Sequence, residues 1–487
     1  MTVSDTGQRR PLPDGCDIQG PVLVAGAGVS GAGCVRMLCD LGVPVVVADD
    51  NEIARQKVHE LTGATDISVA CAMTRLAEFA LVVTSPGWRP DTALLTAAAD
   101  AGCEVIGDIE LAWRLDMAGA FGAPHTWVVI TGTNGKTTTT AMCAAMLVAG
   151  GKKAAAVGNI GVAVGDALTA ATRIDILVAE LSSFQLHWTS RFRPDAGALL
   201  NLADDHLDWH GSFAAYAAAK ARALTGPVAV IGADDPHVAE QVKQLESDGV
   251  LASTRLIGFT LNEPTDGELG IHDGYLLDRA CGGDGNPDGV VLAAADGISP
   301  AGAAGRLDAL AAAALARSQG VEPAAVKKAL ATFTVSAHRG QVVDNTGDIR
   351  FIDNSKATNP HAADAAMAGA DPFIWIAGGQ LKGADIDALV KAHAHHITAA
   401  VLLGVDRMII ADCLGRLAPD VPVTVIDSTD PDEAMRQCVA AAIGYARAGD
   451  TVMLAPAAAS LDMYEGMGQR GDLFAAHARA YTCGTHK

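Results

Sequence analysis

No run of about 20 apolar residues in this chain is free of Gly, Pro and charge, which excludes an ordinary transmembrane helix and any membrane insertion. The first 15 residues are polar, with two Arg and two Pro, and lack the apolar centre of a secretory signal, so export is not expected. Basic residues are scarce: 35 Lys and Arg stand against 56 Asp and Glu, a formal net charge of −21. Affinity for nucleic acid comes largely from phosphate neutralisation, so a nucleic-acid-binding surface is excluded, while a local phosphate pocket is not. Paired cysteines are also missing. The 10 Cys are scattered without a Cys-x-x-Cys, and read as reduced, mostly buried thiols of a cytoplasmic protein, with no metal cage or disulfide framework. Neither a short internal repeat nor a low-complexity tail is present.

What is there is length and alternation. A chain of 487 residues has room for about three domains. Apolar strands alternate with helical patterns throughout, which predicts α/β architecture with parallel sheets. The pattern divides into residues 1–107, a Rossmann-like unit; 108–334, a central unit with a phosphate-binding loop; and 335–487, a second Rossmann-like unit. Short antiparallel strands are expected between 267 and 297, where Gly and Asp are frequent.

The segment 128–140 carries the most chemistry. An apolar β-branched run leads into Gly132, Thr133, Asn134, Gly135, Lys136, Thr137 and Thr138, and then into a helical pattern. Strand, glycine turn and helix N-terminus in that order make an anion site. Backbone N–H groups and the helix dipole face phosphates, Lys136 adds a point charge, and the Thr137 hydroxyl suits Mg²⁺. Ile130 occupies the place of the usual first glycine, so the loop is a shortened variant, and ATP is the expected ligand.

A second glycine turn, Gly26-x-Gly28-x-x-Gly31, is followed by Asp49 at the end of the next strand. Alone this spacing suits NAD or FAD, with the diphosphate on a helix N-terminus, and does not separate NAD from another diphosphate ligand such as a UDP-sugar. Glu180 ends a strand in the central unit, and 201–210 follows with Asp204, Asp205, His206, Asp208 and His210. A carboxylate and an imidazole near ATP phosphates suit metal coordination. In the last unit, His338-Arg339, the run 353–359 with Lys356, the run 378–383 with Lys382, and 455–462 all follow apolar stretches. Projecting from one sheet edge, their cations suit a γ-phosphate and a substrate carboxylate.

From Gly26 to about Phe474 these motifs resemble the Mur ligases, which build the peptide stem of bacterial peptidoglycan. Gly132 to Thr138 looks like the family's ATP loop, Glu180-Leu181-Ser182-Ser183-Phe184-Gln185-Leu186 like its metal-binding strand end, and Asp205 to Asp208 with Tyr216 and Lys220 like the stretch around a carbamylated lysine. The runs at 354–359, 378–383 and 456–462 look like those of the D-glutamate-adding branch. The resemblance implies an acyl-phosphate mechanism with Lys136, Glu180, His206, Lys220, Arg339 and Lys356 as catalytic groups. ATP would lie on the loop with Arg339, Asn354 and Lys356. Mg²⁺ would be held by Thr137, Glu180, His206 and a carbamate on Lys220. It further implies UDP-N-acetylmuramoyl-L-alanine on Gly28, Val29, Ser30, Asp49, Ser85, Gly87 and Asn159, in a domain apart from the ATP site. D-glutamate would lie on Thr358, Lys382, Ser460 and Leu461, in a monomer. The alternatives are another amide ligase such as a folylpolyglutamate synthase, an NAD-dependent oxidoreductase, or an inert ATP-binding scaffold. Departures from the family pattern fall at 307–311, where Leu-Asp-Ala-Leu-Ala replaces the usual His-Asn-x-x-Asn stretch, at Gly340-Gln341, at Asp353-Asn354 and at Asp50-Asn51.

Overall fold

The computed structural model describes residues 12, 18, 20–281, 288–334, 338–344, 349–367, 370 and 372–484. Three sheets follow one another along the chain. The first contains β1 (Val22–Ala25), β2 (Val45–Ala48), β3 (Thr65–Ile67), β4 (Leu81–Thr84) and β5 (Glu104–Gly107), all parallel in the order β3-β2-β1-β4-β5. In the second, β6 (Thr126–Thr131), β7 (Ala154–Gly158), β8 (Ile176–Glu180), β9 (Ala196–Leu199), β10 (Val228–Gly232) and β11 (Arg255–Phe259) are joined by β12 (Glu268–His272), β13 (Tyr275–Asp278) and β14 (Val290–Ala294). Its order is β14-β13-β12-β11-β10-β9-β6-β8-β7, antiparallel only from β12 to β14. The third sheet takes β15 (Gln341–Asp344), β16 (Arg350–Asp353), β17 (Phe373–Gly378), β18 (Ile397–Leu403), β19 (Val423–Val425) and β20 (Thr451–Leu454) in the order β15-β16-β20-β17-β18-β19. The three-part α/β architecture and the small antiparallel strands match the sequence reading. The edge strand β15, antiparallel to β16, was not foreseen.

Parallel strands covered by helices on both faces need apolar residues at every position, and β1, β4 and β17 are buried throughout. One core is shared between the first two sheets. Val22, Val24 and Val83 join Ile109, Leu115, Trp127 and Val129 in a single cluster, so the helix Asp108–Met117 is glued on both sides. Glu110 in that helix accepts the backbone N–H groups of Ser190, Arg191 and Phe192 and the Nε of Arg114 at 2.8–3.0 Å. Behind the ATP loop, the helix Ala303–Ser318 packs on the helix Lys136–Ala149, with Ala309 to Ala316 fully buried. Alanine lets the two backbones approach closely and fixes the N-terminus of the second helix from behind.

The thiols differ slightly from expectation. Of the described cysteines, Cys34, Cys143, Cys413 and Cys438 are buried and Cys39, Cys71, Cys103 and Cys281 half-buried, all free. Burial pushes Cys34, Cys143 and Cys438 well above the usual thiol range, so none is a thiolate nucleophile at neutral pH.

Candidate active site

The carboxyl edges of β1, β4, β6, β8, β9 and β16 supply the loops around two adjoining cavities. The larger, about 1280 Å³, is lined by the whole ATP loop from Thr133 to Thr138, by Glu180, Asn201 and Asp308, and by Arg339, Asn354, Lys356 and Thr358 from the last unit. Positive φ at Gly132 (156°) and Gly135 (82°) shapes the loop. A Cβ on Gly135 would lie 2.3 Å from the Asp308 carboxylate, which only glycine avoids. Asn201 braces the loop by accepting the Asn134 N–H at 2.8 Å and donating to its carbonyl at 3.2 Å. The Lys136 ammonium folds back over the loop onto the carbonyls of Gly132 (3.0 Å) and Thr133 (2.7 Å). Burial lowers its pKa, against the pull of Glu180 and Asp205. The helix Lys136–Ala149 has no acidic residue in its first turn and no side-chain cap, so its N–H groups face the cavity.

The smaller cavity, about 470 Å³, lies where the first sheet reverses its order, between β1 and β4. Gly28, Val29 and Ser30 open the helix Val29–Asp40 on one side, and Ser85 and Gly87 follow β4. Asn159, the 182–185 run, Tyr216 and Lys220 close it from the central unit. The glycine turn is tight because a Cβ on Gly31 would lie 1.9 Å from the Gly26 carbonyl. Asp49 does not line this cavity. Its carboxylate accepts the N–H groups of Ala27 (2.7 Å) and Asn51 (2.8 Å) and so holds the turn from outside.

Lys136, Asp205 and His206 line both cavities, so the two are neighbours across one wall rather than separate sites as the domain division suggested. His206 takes a left-handed conformation (φ 53°) and packs its ring 4.6 Å from that of Phe184. Burial, opposed by Asp205 and reinforced by Lys220, Lys382 and Lys136, lowers its pKa and keeps the imidazole neutral. Lys220 is 2% exposed, donates to the Gly132 carbonyl at 2.7 Å and to the Thr131 hydroxyl at 3.3 Å, and is held well below the usual lysine range by burial and by Lys136. Beside this wall, the buried Oε2 of Glu180 has no hydrogen-bond partner among the described residues.

Among the residues assigned to D-glutamate, Thr358 lines the larger cavity and Lys382 (φ 54°) lies close enough to influence His206. Ser460 is buried and Leu461 exposed, and neither lines these two cavities. Asp353, in the pair that departs from the family pattern, is fully buried, accepting from the Ser355 N–H (2.8 Å) and paired with His338 (2.7 Å). Its neighbour Asn354 lines the cavity. Two further lining residues, Asp308 and Gln185, carry no site role in the sequence reading. Asp308, whose pKa is pushed up to about 7 by burial, contacts the ATP loop from a stretch that departs from the family pattern. Gln185 lines the smaller cavity and completes a capping box with Ser182; the Ser-x-x-Gln spacing was the available signal.

Comparison with known proteins identifies the family of the three units. Residues 20–107 match the Mur ligase MurD-like N-terminal domain, 130–262 the Mur ligase middle domain, and 338–458 the Mur ligase glutamate ligase domain. The chain belongs to the Mur ligase family. Among its relatives, the UDP-N-acetylmuramoylalanine--D-glutamate ligase of Corynebacterium efficiens is 58% identical over 464 residues, 95% of either chain. The protein of the same name from Corynebacterium diphtheriae is 54% identical over 98% of both chains. Two solved structures share the family fold at low identity. They are the UDP-N-acetylmuramate-alanine ligase of Thermotoga maritima (TM-score 0.55, 17% identical, 95% of this chain and 99% of that one) and a pseudomurein peptide ligase type C from Methanothermus fervidus (TM-score 0.55, 15%, 96% and 100%).

Proposed function

We propose that this Mur ligase joins D-glutamate to UDP-N-acetylmuramoyl-L-alanine at the expense of ATP, in the cytoplasm, as a step of peptidoglycan precursor synthesis. The names of the full-length relatives support the substrates. The observation that carries the mechanism is the shared wall of Lys136, Asp205 and His206 between a phosphate-loop cavity and a glycine-turn cavity. A carboxylate does not react with an amine at neutral pH, so it must first be activated. The geometry suits transfer of the γ-phosphoryl group of ATP, in the larger cavity, to the carboxylate of a ligand entering from the smaller one. The bond from γ-phosphorus to its bridging oxygen breaks with its electrons on ADP, and a carboxylate oxygen takes the phosphorus. The amine of D-glutamate then attacks the acyl carbon and loses a proton, and phosphate leaves.

In this reading residues 1–107, 108–334 and 335–487 serve the UDP-sugar, ATP and the amino acid respectively. Lys136, Arg339 and Lys356 neutralise charge on the transferring group. Glu180, with its unpartnered oxygen, the Thr137 hydroxyl and the neutral His206 fit Mg²⁺, an ion that needs few protein ligands beside phosphate oxygens and water. Mg²⁺ when bound supplies charge neutralisation on those oxygens. A carbamate on Lys220 completes the ligand set. Gly28, Val29, Ser30, Ser85, Gly87 and Asn159 receive the UDP-sugar, with Asp49 bracing their turn. Thr358 and Lys382 receive D-glutamate, with Ser460 and Leu461 on the neighbouring loop. The chain acts as a monomer.

Phosphate release measured with each substrate omitted in turn tests the assignment. Release should require ATP, UDP-N-acetylmuramoyl-L-alanine and D-glutamate together. Rapid ADP formation from ATP alone, or thermal stabilisation by NAD and not by the UDP-sugar, would overturn it.

A further inference from the structure

We propose that Arg470 is a positioning residue for the amino-acid substrate, clamping into one rigid edge the three loops that follow β16, β17 and β20. The substrate named here rests on the function proposed above; the clamp itself does not.

Arg470 sits near the start of the helix Met467–Gly484 and is fully buried. Its guanidinium points across the carboxyl edge of the third sheet. Nε donates to the Ser355 hydroxyl at 3.1 Å and Nη2 to the Ser355 carbonyl at 2.8 Å. Nη1 reaches the carbonyls of Ala458 (3.1 Å) and Gly378 (3.3 Å). One planar fork therefore holds the ends of three neighbouring strands, β16, β20 and β17. Lys356 and Thr358 follow the first contact, Ser460 and Leu461 the second, and Lys382 the third.

Two features argue that the clamp serves position rather than bulk. Among the described residues none of its hydrogen bonds is to a carboxylate; the acceptors are three carbonyls and a hydroxyl. A buried cation without a paired carboxylate is unfavourable compared with an apolar side chain of the same size, and burial pushes this guanidinium down to about 10, with Tyr464, Asp462 and Asp353 opposing. The loops also lie against one another without slack. A Cβ on Gly379 would fall 2.0 Å from the Ala459 carbonyl and 3.3 Å from the Arg470 Nη1, and one on Gly378 would fall 1.9 Å from the Leu403 carbonyl. Loss of the guanidinium fork removes the contacts that hold Gly378, Ala458 and Ser355 together.

The test uses the full-length enzyme with Arg470→Lys, which keeps the charge and loses the fork, and Ser355→Ala, which keeps the guanidinium but removes one of its acceptors and that hydroxyl's own bond to the Met467 carbonyl. For Arg470→Lys the KM for D-glutamate should rise about tenfold or more, the loss expected for two or more charged hydrogen bonds. For Ser355→Ala it should rise about threefold. The KM for UDP-N-acetylmuramoyl-L-alanine should stay within about twofold in both. Amide exchange should quicken at 354–358, 378–383 and 455–460 and, beyond the first turn of the helix Met467–Gly484, nowhere else. Unchanged exchange in these loops, or a uniform rise of all three KM values, would overturn the proposal. Should the wild type show no D-glutamate-dependent phosphate release, the function assigned above falls, and the exchange measurement alone decides the clamp.

Discussion

Replacing Lys220 with methionine separates a catalytic lysine from a packing one. The ammonium is 2% exposed and its pKa lies well below the ordinary 10.5, first because burial strips its hydration and then because Lys136 repels it. An amine at the ordinary value is only about 0.1% neutral at pH 7.5, and each tenfold weakening of its hold on the proton raises that fraction about tenfold. Carbamate formation from CO₂ needs the neutral form, so burial prepares the amine for it. The same weakening carries a stability cost. Below pH 10.5 the unfolded chain binds a proton that the folded chain holds less tightly. The penalty is therefore present in full below the folded pKa, shrinks as pH rises, and is about 1.4 kcal/mol for every tenfold by which folding weakens proton binding. Methionine removes that penalty and orphans no acceptor at Gly132, whose carbonyl keeps the Lys136 ammonium at 3.0 Å. Lys220→Met should thus melt at or above the wild-type temperature at pH 7 while losing turnover by roughly 100-fold or more, as expected when a metal ligand is lost. Acetate or formate should partly restore Lys220→Ala, and ¹³C-labelled bicarbonate should give a carbamate resonance in wild type alone. Full activity in Lys220→Met, or an inactive variant that also melts several degrees lower, would refute the reasoning.

Gly135→Ala forces a Cβ onto the Asp308 carboxylate at φ 82°, and should raise the KM for ATP at least about 30-fold with ~1–2 kcal/mol lost in stability, read by kinetics and thermal melting. Asp308 has its pKa raised from 3.8 to about 7, so across that window the folded chain holds a proton the unfolded chain has released, and stability falls as pH rises, by at most about 4 kcal/mol in all. Asp308→Asn should therefore melt higher than wild type at pH 8 and no higher at pH 4; a pH-independent difference would contradict this. Glu110→Ala leaves three backbone N–H groups without their buried acceptor and Arg114 with Glu104 as its remaining carboxylate, and should lose about 3–5 kcal/mol in urea unfolding, with Glu110→Gln losing less.

Much of the fold was legible because it is written in runs. Four or more consecutive apolar or β-branched residues before a glycine turn, as at 127–131 and 81–84, mark buried parallel strands, and the alanine-rich pattern at 303–318 reads as a helix with the bounds it has. Strand β7 was not seen, since Ala154, Ala155 and Ala156 carry no strand preference and gain their conformation only by pairing with β8. Strand β11 was hidden by Gly258, which is kept small by the Glu268 side chain against it. In the site, each loop was visible because glycines, lysines and histidines at strand ends are chemically conspicuous. Adjacency between loops was not. Nothing in the spacing of Gly28, Lys136 and His206 says that they border one cavity, and nothing around Asp353 and Asn354 says that the first turns inward to His338 while the second faces the nucleotide pocket. Arg470 stayed hidden because a buried arginine in a helix looks, in sequence, like a solvated one.

The common wall of Lys136, Asp205 and His206 also bears on inhibitor design. Two ligands separated by three side chains can be joined by a short tether, and the second half then binds as if at millimolar local concentration. A molecule with a diphosphate mimic against the Val29–Asp40 helix and a nucleotide mimic on the ATP loop would multiply two weak affinities, provided that its linker passes His206 without displacing the Phe184 ring. Only a protein with both cavities side by side accepts the two heads at once, so the tether itself, rather than either head, would confer selectivity.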